Sequence, residues 1–204
     1  IDVTGSSHYC TIVGNHISEN QVHGINWYAS YRSVIKGNVV EKNNEIGIYV
    51  SGGGGNIIIG NICINNDQSN SGRDGIRLTD TNHNIVVGNR CTDDQDAKTQ
   101  DYGILETGTS DYNIMCDNIL TGNAVGAIST IGANTIIRRN IGFVTSNSGI
   151  ASGLADGSYV AHGLAGTPTT VTLTCLNSTY DGEPVIVSWD RANTNSTHIA
   201  VDIY

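Results

Sequence analysis

The chain has 204 residues, 19 acidic against 10 basic side chains, and a formal net charge of −9. That balance excludes the basic patch needed by nucleic-acid or anionic-membrane partners, and no apolar run approaches the ~18 residues of a membrane span. Few Lys, many Gly, Asn, Ser and Thr, and sequons at Asn177-Ser178-Thr179 and Asn195-Ser196-Thr197 suit an extracellular protein.

Along residues 1–153 one pattern recurs. Gly-Asn stands at Gly14-Asn15, Gly37-Asn38, Gly60-Asn61 and Gly88-Asn89, and returns as Asp117-Asn118 and Arg139-Asn140. Between these lie Gly24-Ile25, Gly47-Ile48, Gly75-Ile76 and Gly103-Ile104, with Gly126-Ala127 as the weaker member and Gly149-Ile150 beyond it. The steps between the Asn residues are 23, 23, 28, 29 and 22. Each repeat holds apolar runs of three to five residues, such as Ile57-Ile58-Ile59, separated by turn formers. These are strand lengths. A unit this small cannot bury its apolar face alone, so the units must stack. The expected fold is all-β: a right-handed parallel β-helix of six to seven coils over residues 1–154, then a small antiparallel β domain over 155–204.

The columns define the expected core. Ile12, Ile35, Ile58, Val86, Met115 and Ile137 precede the repeat Asn by three; Ile17, Val40, Cys63, Cys91, Leu120 and Gly142 follow it by two. A third inward column runs Ile25, Ile48, Ile76, Ile104 and Ala127. The repeat Asn residues should form one line, with a second five residues on: Asn20, Asn43, Asn66, Asp94 and Asn123. Asn tolerates left-handed corners and bonds its neighbour's amide, which gives these columns a structural role. Cys63 and Cys91 share a column, where parallel stacking gives poor disulfide geometry, so free thiols are expected. No CxxC pair or zinc spacing occurs, and His16, His23 and His83 are expected at turns or strand ends.

This arrangement resembles the pectin-lyase-like, right-handed parallel β-helix repeat family. The resemblance implies a saccharide or surface partner, because the family spans polysaccharide lyases, glycoside hydrolases, epimerases, phage tailspikes and non-catalytic surface proteins. Its enzymatic signatures are not carried over. Asp93-Asp94 is a lone pair on the wrong corner for a polygalacturonase, and the epimerase motif Asp-Pro-His-Glu is missing. Ile1-Asp2-Val3-Thr4 already fits the strand column of Ile25 and Ile48, so the expectation is the C-terminal piece of a longer solenoid, or an edge covered by a partner.

After the repeat, Gly157–His162, Thr169–Leu176, Pro184–Asp190 and Thr197–Tyr204 read as alternating strands, with loops at Asn177–Gly182 and Ala192–Ser196. Some 50 residues make a poor independent core. The run Val160–Val171 resembles C-terminal modules of phage tail proteins and secreted archaeal β-helix proteins, which implies oligomerisation, a homotrimer being the expected form.

Two coils carry extra residues at the same corner: Asn66–Asp74 and Asp94–Tyr102. They should stack into one wall. Its oxygens suit a hard cation, with Asp67, Asp94 and Asp96 as weak Ca²⁺ candidates; otherwise no cofactor is expected. Beside the wall, outward positions run Asp2, Asn26, Tyr49, Arg77 and Leu105, and next to them Thr4, Tyr28, Ser51, Thr79, Thr107 and Thr130. Aromatic faces and polar groups here make Tyr28, Tyr49, Asn26, Arg77, Asp74 and Asp94 candidate substrate-binding residues for a polysaccharide or cell-surface glycan. Strict alternation points Glu106 inward, level with Trp27, Val50 and Leu78. A bulge in its longer coil could turn it out toward Arg77 and Asp101, where two carboxylates could share acid and base roles. On that reading Glu106, Asp101 and Arg77 are the candidate catalytic residues. Three functions remain open: carbohydrate or surface recognition, polysaccharide degradation by a lyase or hydrolase, and a structural part of a surface assembly.

Overall fold

The structure, a computed structural model, describes residues 1–175, 179–180, 183–184 and 186–204. Its two compact units are Ile1–Phe143 and Val144–Tyr204. The expected boundary after residue 154 lies within the second.

The first unit is a parallel β-solenoid of three sheets. Asp2–Val3, Ile25–Tyr31, Ile48–Gly54, Ile76–Thr79, Tyr102–Thr107 and Gly126–Ser129 form the first sheet in that order. The second holds Thr11–Val13, Val34–Lys36, Ile57–Ile59, Ile85–Val87, Ile114–Cys116 and Ile136–Arg138. The third holds His16–Ser18, Val39–Glu41, Ile62–Ile64 and Arg90–Thr92. Each strand pairs with its equivalent one coil away, so equivalent side chains stack into ladders. Ile35 on Ile58 on Val86 on Met115 is one such ladder, and Val40 on Cys63 on Cys91 is another. All of these are buried. Cys63 and Cys91 are free thiols, and burial pushes Cys91 up.

The register corrects one column. Ile104 faces Ile128 and Tyr102 faces Gly126, so Ala127 lies level with Gly103 rather than with Ile104. Apolar periodicity favours this setting, because Ile128 fills the inward place that Ala127 would leave half empty. Thr130 moves with it and stands beside Glu106 instead of Thr107.

Three buried amide ladders run along the coils. In the first, the backbone N and Nδ2 of Asn38 each donate 3.0 Å bonds to Asn61 Oδ1, and Asn61 does the same to Asn89 at 2.9 and 3.0 Å. The line extends from Asn15 to Asn140. The second line, Asn20–Asn43–Asn66, continues to Gln100 and Asn123, not to the expected Asp94. The reason is loop placement. In the first long coil the extra residues follow the ladder residue Asn66; in the second they precede Gln100. A carboxylate at this place would lack the N–H to pass on. The third ladder, not anticipated, links Ser33, Asn56, Asn84 and Asn113. Its trace in the sequence is Asn56-Ile57, Asn84-Ile85 and Asn113-Ile114, blurred by Ser33 and Thr135 at its ends.

The two glycine columns exist for different reasons. At Gly60, φ is +63° and a Cβ would meet nothing within 4 Å, so only the left-handed backbone is demanded. Asp117 and Arg139 can therefore replace it, at φ of 57° and 53°. At Gly47 a Cβ would lie 2.6 Å from Gly75 O and 2.8 Å from Asn66 Nδ2, so the coil stacks only because no side chain is there.

In the second unit, Ser158–Ala161, His198–Ile203 and Val187–Asp190 form an antiparallel sheet with the His198–Ile203 strand central, and Thr179–Tyr180 pairs with Glu183–Pro184. The strand expected at Thr169–Leu176 is not formed over residues 169–175, since β propensity alone does not set a strand. Leu176 and part of the loop Asn177–Gly182 lie outside the described residues. No helix among them is long and apolar enough to cross a membrane.

The first ladder gives a graded test. Asn61 makes four side-chain bonds, two donated and two accepted, in full burial. Asn61→Leu should cost about 3–5 kcal/mol, because several buried groups lose partners at about 1–3 kcal/mol each. Exposed Asn15→Leu should cost about 1 kcal/mol. Urea unfolding of both variants measures the difference.

Candidate functional site

The inserted loops are built on two aspartates. Asp67 is fully buried and accepts from the backbone N–H groups of Ser71, Gly72 and Arg73 at 2.9–3.1 Å. Asp93 does the same for Gln95, Thr99 and Gln100, and these bonds hold its carboxyl below the usual range against the effect of burial. The loops then lie side by side, as expected for one wall. Gln68 donates to Gln95 Oε1 at 3.1 Å, Asp101 N to Arg73 O at 2.7 Å, and Asn65 Nδ2 to Asp94 Oδ1 at 2.6 Å. The three Ca²⁺ candidates are not assembled: Asp67 faces inward onto its own loop, while Asp94 and Asp96 are exposed.

Where the wall meets the first sheet, charges gather. Glu45 and Arg73 occupy the place two residues before the column glycine, with Asp101 next above Arg73. His23 and Asp74 stand one residue before it, and Asn26, Tyr49 and Arg77 two residues after it. Arg77 Nε donates to Asp74 Oδ2 at 2.5 Å and its NH2 to Gly72 O at 2.8 Å; Tyr102 N donates to Asp74 Oδ1 at 3.2 Å. Asp74 is fully buried. Burial outweighs Arg77 and the Tyr102 N–H and raises its carboxyl to about 6. Asp101 is also raised, by burial and then by Asp67. On the other side, Glu45 Oε2 lies 3.5 Å from His23 Nδ1 and 3.8 Å from Arg73 Nε. Both nitrogens are buried without a hydrogen bond among the described residues. The His23 ring centroid is 5.0 Å from that of Tyr49, and burial lowers its pKa, the two arginines assisting and Glu45 opposing.

The structure thus brings Asn26, Tyr49, Arg77 and Asp101 to one surface, with buried Asp74 bonded to Arg77. Tyr28 stands exposed one column away, level with Ser51. Asp94 belongs to the wall, held by Asn65. Glu106 does not join them. It pairs in register with Leu78, unbulged, and is wholly buried. Its Oε1 accepts from Asn113 Nδ2 at 2.6 Å and Thr135 Oγ1 at 2.8 Å, and its Oε2 from Thr130 Oγ1 and from Gly132 N at 3.1 Å. The extra residue of this coil is taken up in the following turn, and four donors satisfy the carboxylate inside, so nothing drives it outward. The catalytic trio of Glu106, Asp101 and Arg77 is therefore not a cluster.

His23, Glu45 and Arg73 were not singled out from the sequence. The available signal was the column two before the glycine, where Val22, Glu45, Arg73 and Asp101 alternate in charge.

The Asp74 shift has a measurable consequence. A carboxyl raised from 3.8 to about 6 binds a proton more readily folded than unfolded. It therefore stabilises the fold below about pH 4, and that contribution is lost as pH rises to about 6. His23, lowered, acts in the opposite sense below its ordinary 6.5. Comparing wild type with Asp74→Asn isolates the first effect: their stability difference should change by about 3 kcal/mol between pH 4 and 7, and denaturant titrations at several pH values read it directly.

Among solved structures, the Mannuronan C-5 epimerase AlgE6 A-module of Azotobacter vinelandii superposes with a TM-score of 0.61 at 20% identity, over 67% of this chain and 40% of that one. The AlgE4 A-module of the same organism gives 0.54 at 17% identity, over 63% and 37%. The periplasmic alginate epimerase AlgG gives 0.50 at 18%, over 69% and 38%. The chain spans less than half the length of each, and at these identities the likeness is one of fold. Curated protein sequences give no match. The sequence profile described as "Right handed beta helix region" matches residues 1–163. With that match and the solenoid in hand, the chain belongs to the right-handed β-helix family.

Proposed function

We propose that this chain recognises a polysaccharide along the outer face of its first sheet, between the inserted wall and the opposite corner. The observation that carries the reading is the convergence of Asn26, Tyr49 and Arg77 in one outward column beside the half-buried group of His23, Glu45 and Arg73, with Arg77 held by fully buried Asp74. Tyr49 and exposed Tyr28 offer ring faces, and the charged groups offer fixed donors and acceptors for hydroxyls. The named activities of the superposable proteins, epimerisation of mannuronan and of alginate, support a saccharide as the class of partner. A site for such a partner fits a protein that works outside the cytoplasm, secreted or on a virion or cell envelope.

A second reading is chemical modification of the polysaccharide. One observation favours it: Asp74, raised to about 6, lies in the same cluster as His23, whose pKa is lowered, so a carboxyl and an imidazole are drawn toward each other in proton affinity within one group of contacts. Degradation by a lyase or hydrolase is its concrete form. The third reading, a structural part of a surface assembly, leaves this cluster without a use.

Glycan-array binding, paired with an assay for chain cleavage or unsaturated ends, separates these readings. Tyr49→Ala should weaken glycan binding by about 1–3 kcal/mol with little change in melting temperature, since surface changes seldom exceed ~0.5 kcal/mol in stability. Arg77→Ala should lose binding and also stability, because it leaves Asp74 buried without its cation. Array binding unaltered in both variants would refute the site.

We also assign self-association to the second unit, a trimer being the expected form. Among its described residues few side chains are buried, Ala200, Val201 and His162 among them, while Tyr159, Ile186 and Tyr204 stay exposed. Light scattering on the full chain should give a multiple of 21.6 kDa; removing residues 144–204 should return the monomer mass.

A further inference from the structure

The corner between the first and second sheets carries side chains that its backbone does not ask for. Tyr9, Arg32, Gly55, His83 and Tyr112 occupy equivalent places in five successive coils, the N–H of each of the first four bonding the carbonyl just before the next member: Tyr31, Gly54, Asn82 and Asp111. All five have positive φ, from 51° to 67°. Gly, Asn or Asp are the residues this conformation favours, so Gly55 is unremarkable and the bulky members are what need explaining. They form an exposed ridge. Arg32 NH1 donates to Tyr9 Oη at 3.0 Å. The His83 and Tyr112 rings stack, centroids 5.2 Å apart and 3° from parallel. Tyr9 is 70% and Tyr112 54% exposed.

Gly55 interrupts this ridge. A Cβ there would meet the Arg32 Cγ at 3.7 Å and nothing else within 4 Å. Two coil steps, about 10 Å, separate the Arg32 and His83 backbones. The missing side chain thus leaves a slot one ring wide, with the aliphatic stem of Arg32 on one side and the imidazole of His83 on the other. A ring seated in it would lie one coil step from His83, the same step that already stacks His83 on Tyr112.

We propose that this slot is a second binding site, taking a single sugar ring of a polysaccharide between Arg32 and His83. A sugar has apolar C–H faces for the walls and a hydroxyl edge for the rim, where Asn82 stands beside His83, level with Gly54. An aromatic side chain from a protein partner would want water-excluding apolar walls, and this slot is open and polar-edged. The choice of a sugar rests on the polysaccharide reading above; the residues do not, since the slot lies at the corner opposite the inserted loops.

The test uses the full chain and a panel of neutral and uronate oligosaccharides, with N-acetyl-tryptophanamide as the alternative probe. Saturation-transfer NMR and calorimetry supply the readouts. Gly55→Tyr fills the slot with a residue that this column already accepts at positive φ at Tyr9 and Tyr112. It should lower affinity for the bound oligosaccharide at least tenfold, and His83→Ala several-fold, with melting temperatures near that of wild type. Should Gly55→Tyr fail to fold, His83→Ala and Tyr112→Ala still decide. Oligosaccharide binding that falls with Tyr49→Ala but ignores Gly55→Tyr and His83→Ala overturns the slot while leaving the first-sheet site standing. Binding of no oligosaccharide overturns both. Slot-dependent binding of N-acetyl-tryptophanamide alone overturns the sugar assignment.

Discussion

The fold depends on one constraint: a buried side-chain amide must be bonded on every side. At a solenoid corner the backbone turns, its N–H groups lose their strand partners, and no water reaches them. Asn solves this locally, because its Oδ1 takes the orphaned N–H of the coil before while its Nδ2 supplies the coil after. Such a residue is satisfied only if the next coil has an amide at the same place. The 23-residue period of the first coils is thus a chemical requirement as much as a geometric one. Aliphatic ladders fill the space between the corners, yet they tolerate Ile, Val, Leu, Met or Cys; the amides do not vary so freely.

This tolerance explains which parts could be read from the sequence. The inward columns through Ile58 and Cys63 and the line of repeat Asn residues follow from spacing alone, since each is set by burial repeated at a fixed interval. Errors arose where the interval changed. The coil holding Gln100 places its insertion before the ladder residue, and counting from the repeat Asn then lands on Asp94. The last coil slips by one, so Ile128 rather than Ala127 enters the core. The Ser33–Asn113 line escaped notice because its ends are hydroxyls instead of amides.

The site was half legible for a related reason. Asn26, Tyr49 and Arg77 are neighbours by strand register, which alternation predicts. His23, Glu45 and Arg73 come from turns on successive coils, and their meeting requires knowing how the insertions fold. Asp67 shows the limit best. As a sequence letter it resembles a free acidic ligand, whereas its carboxylate closes a loop by accepting three consecutive N–H groups. Glu106 likewise looks functional as an acidic residue, and its carboxyl is bonded internally. Both cases teach that an acidic residue near a turn must first be asked which backbone donors it completes.

The amide ladders also have a direction. Within a line each Oδ1 accepts from the coil before it, and each Nδ2 short of the line's end donates to the coil after, so the side-chain dipoles add rather than cancel. A stack of this kind ends in unfilled donors at its C-terminal side, the electrostatic counterpart of a helix N-terminus. In the line through Asn56, Asn84 and Asn113, the group that receives those last donors is the carboxylate of Glu106. That line therefore has an electrical polarity along the solenoid axis, and Glu106 is its acidic cap.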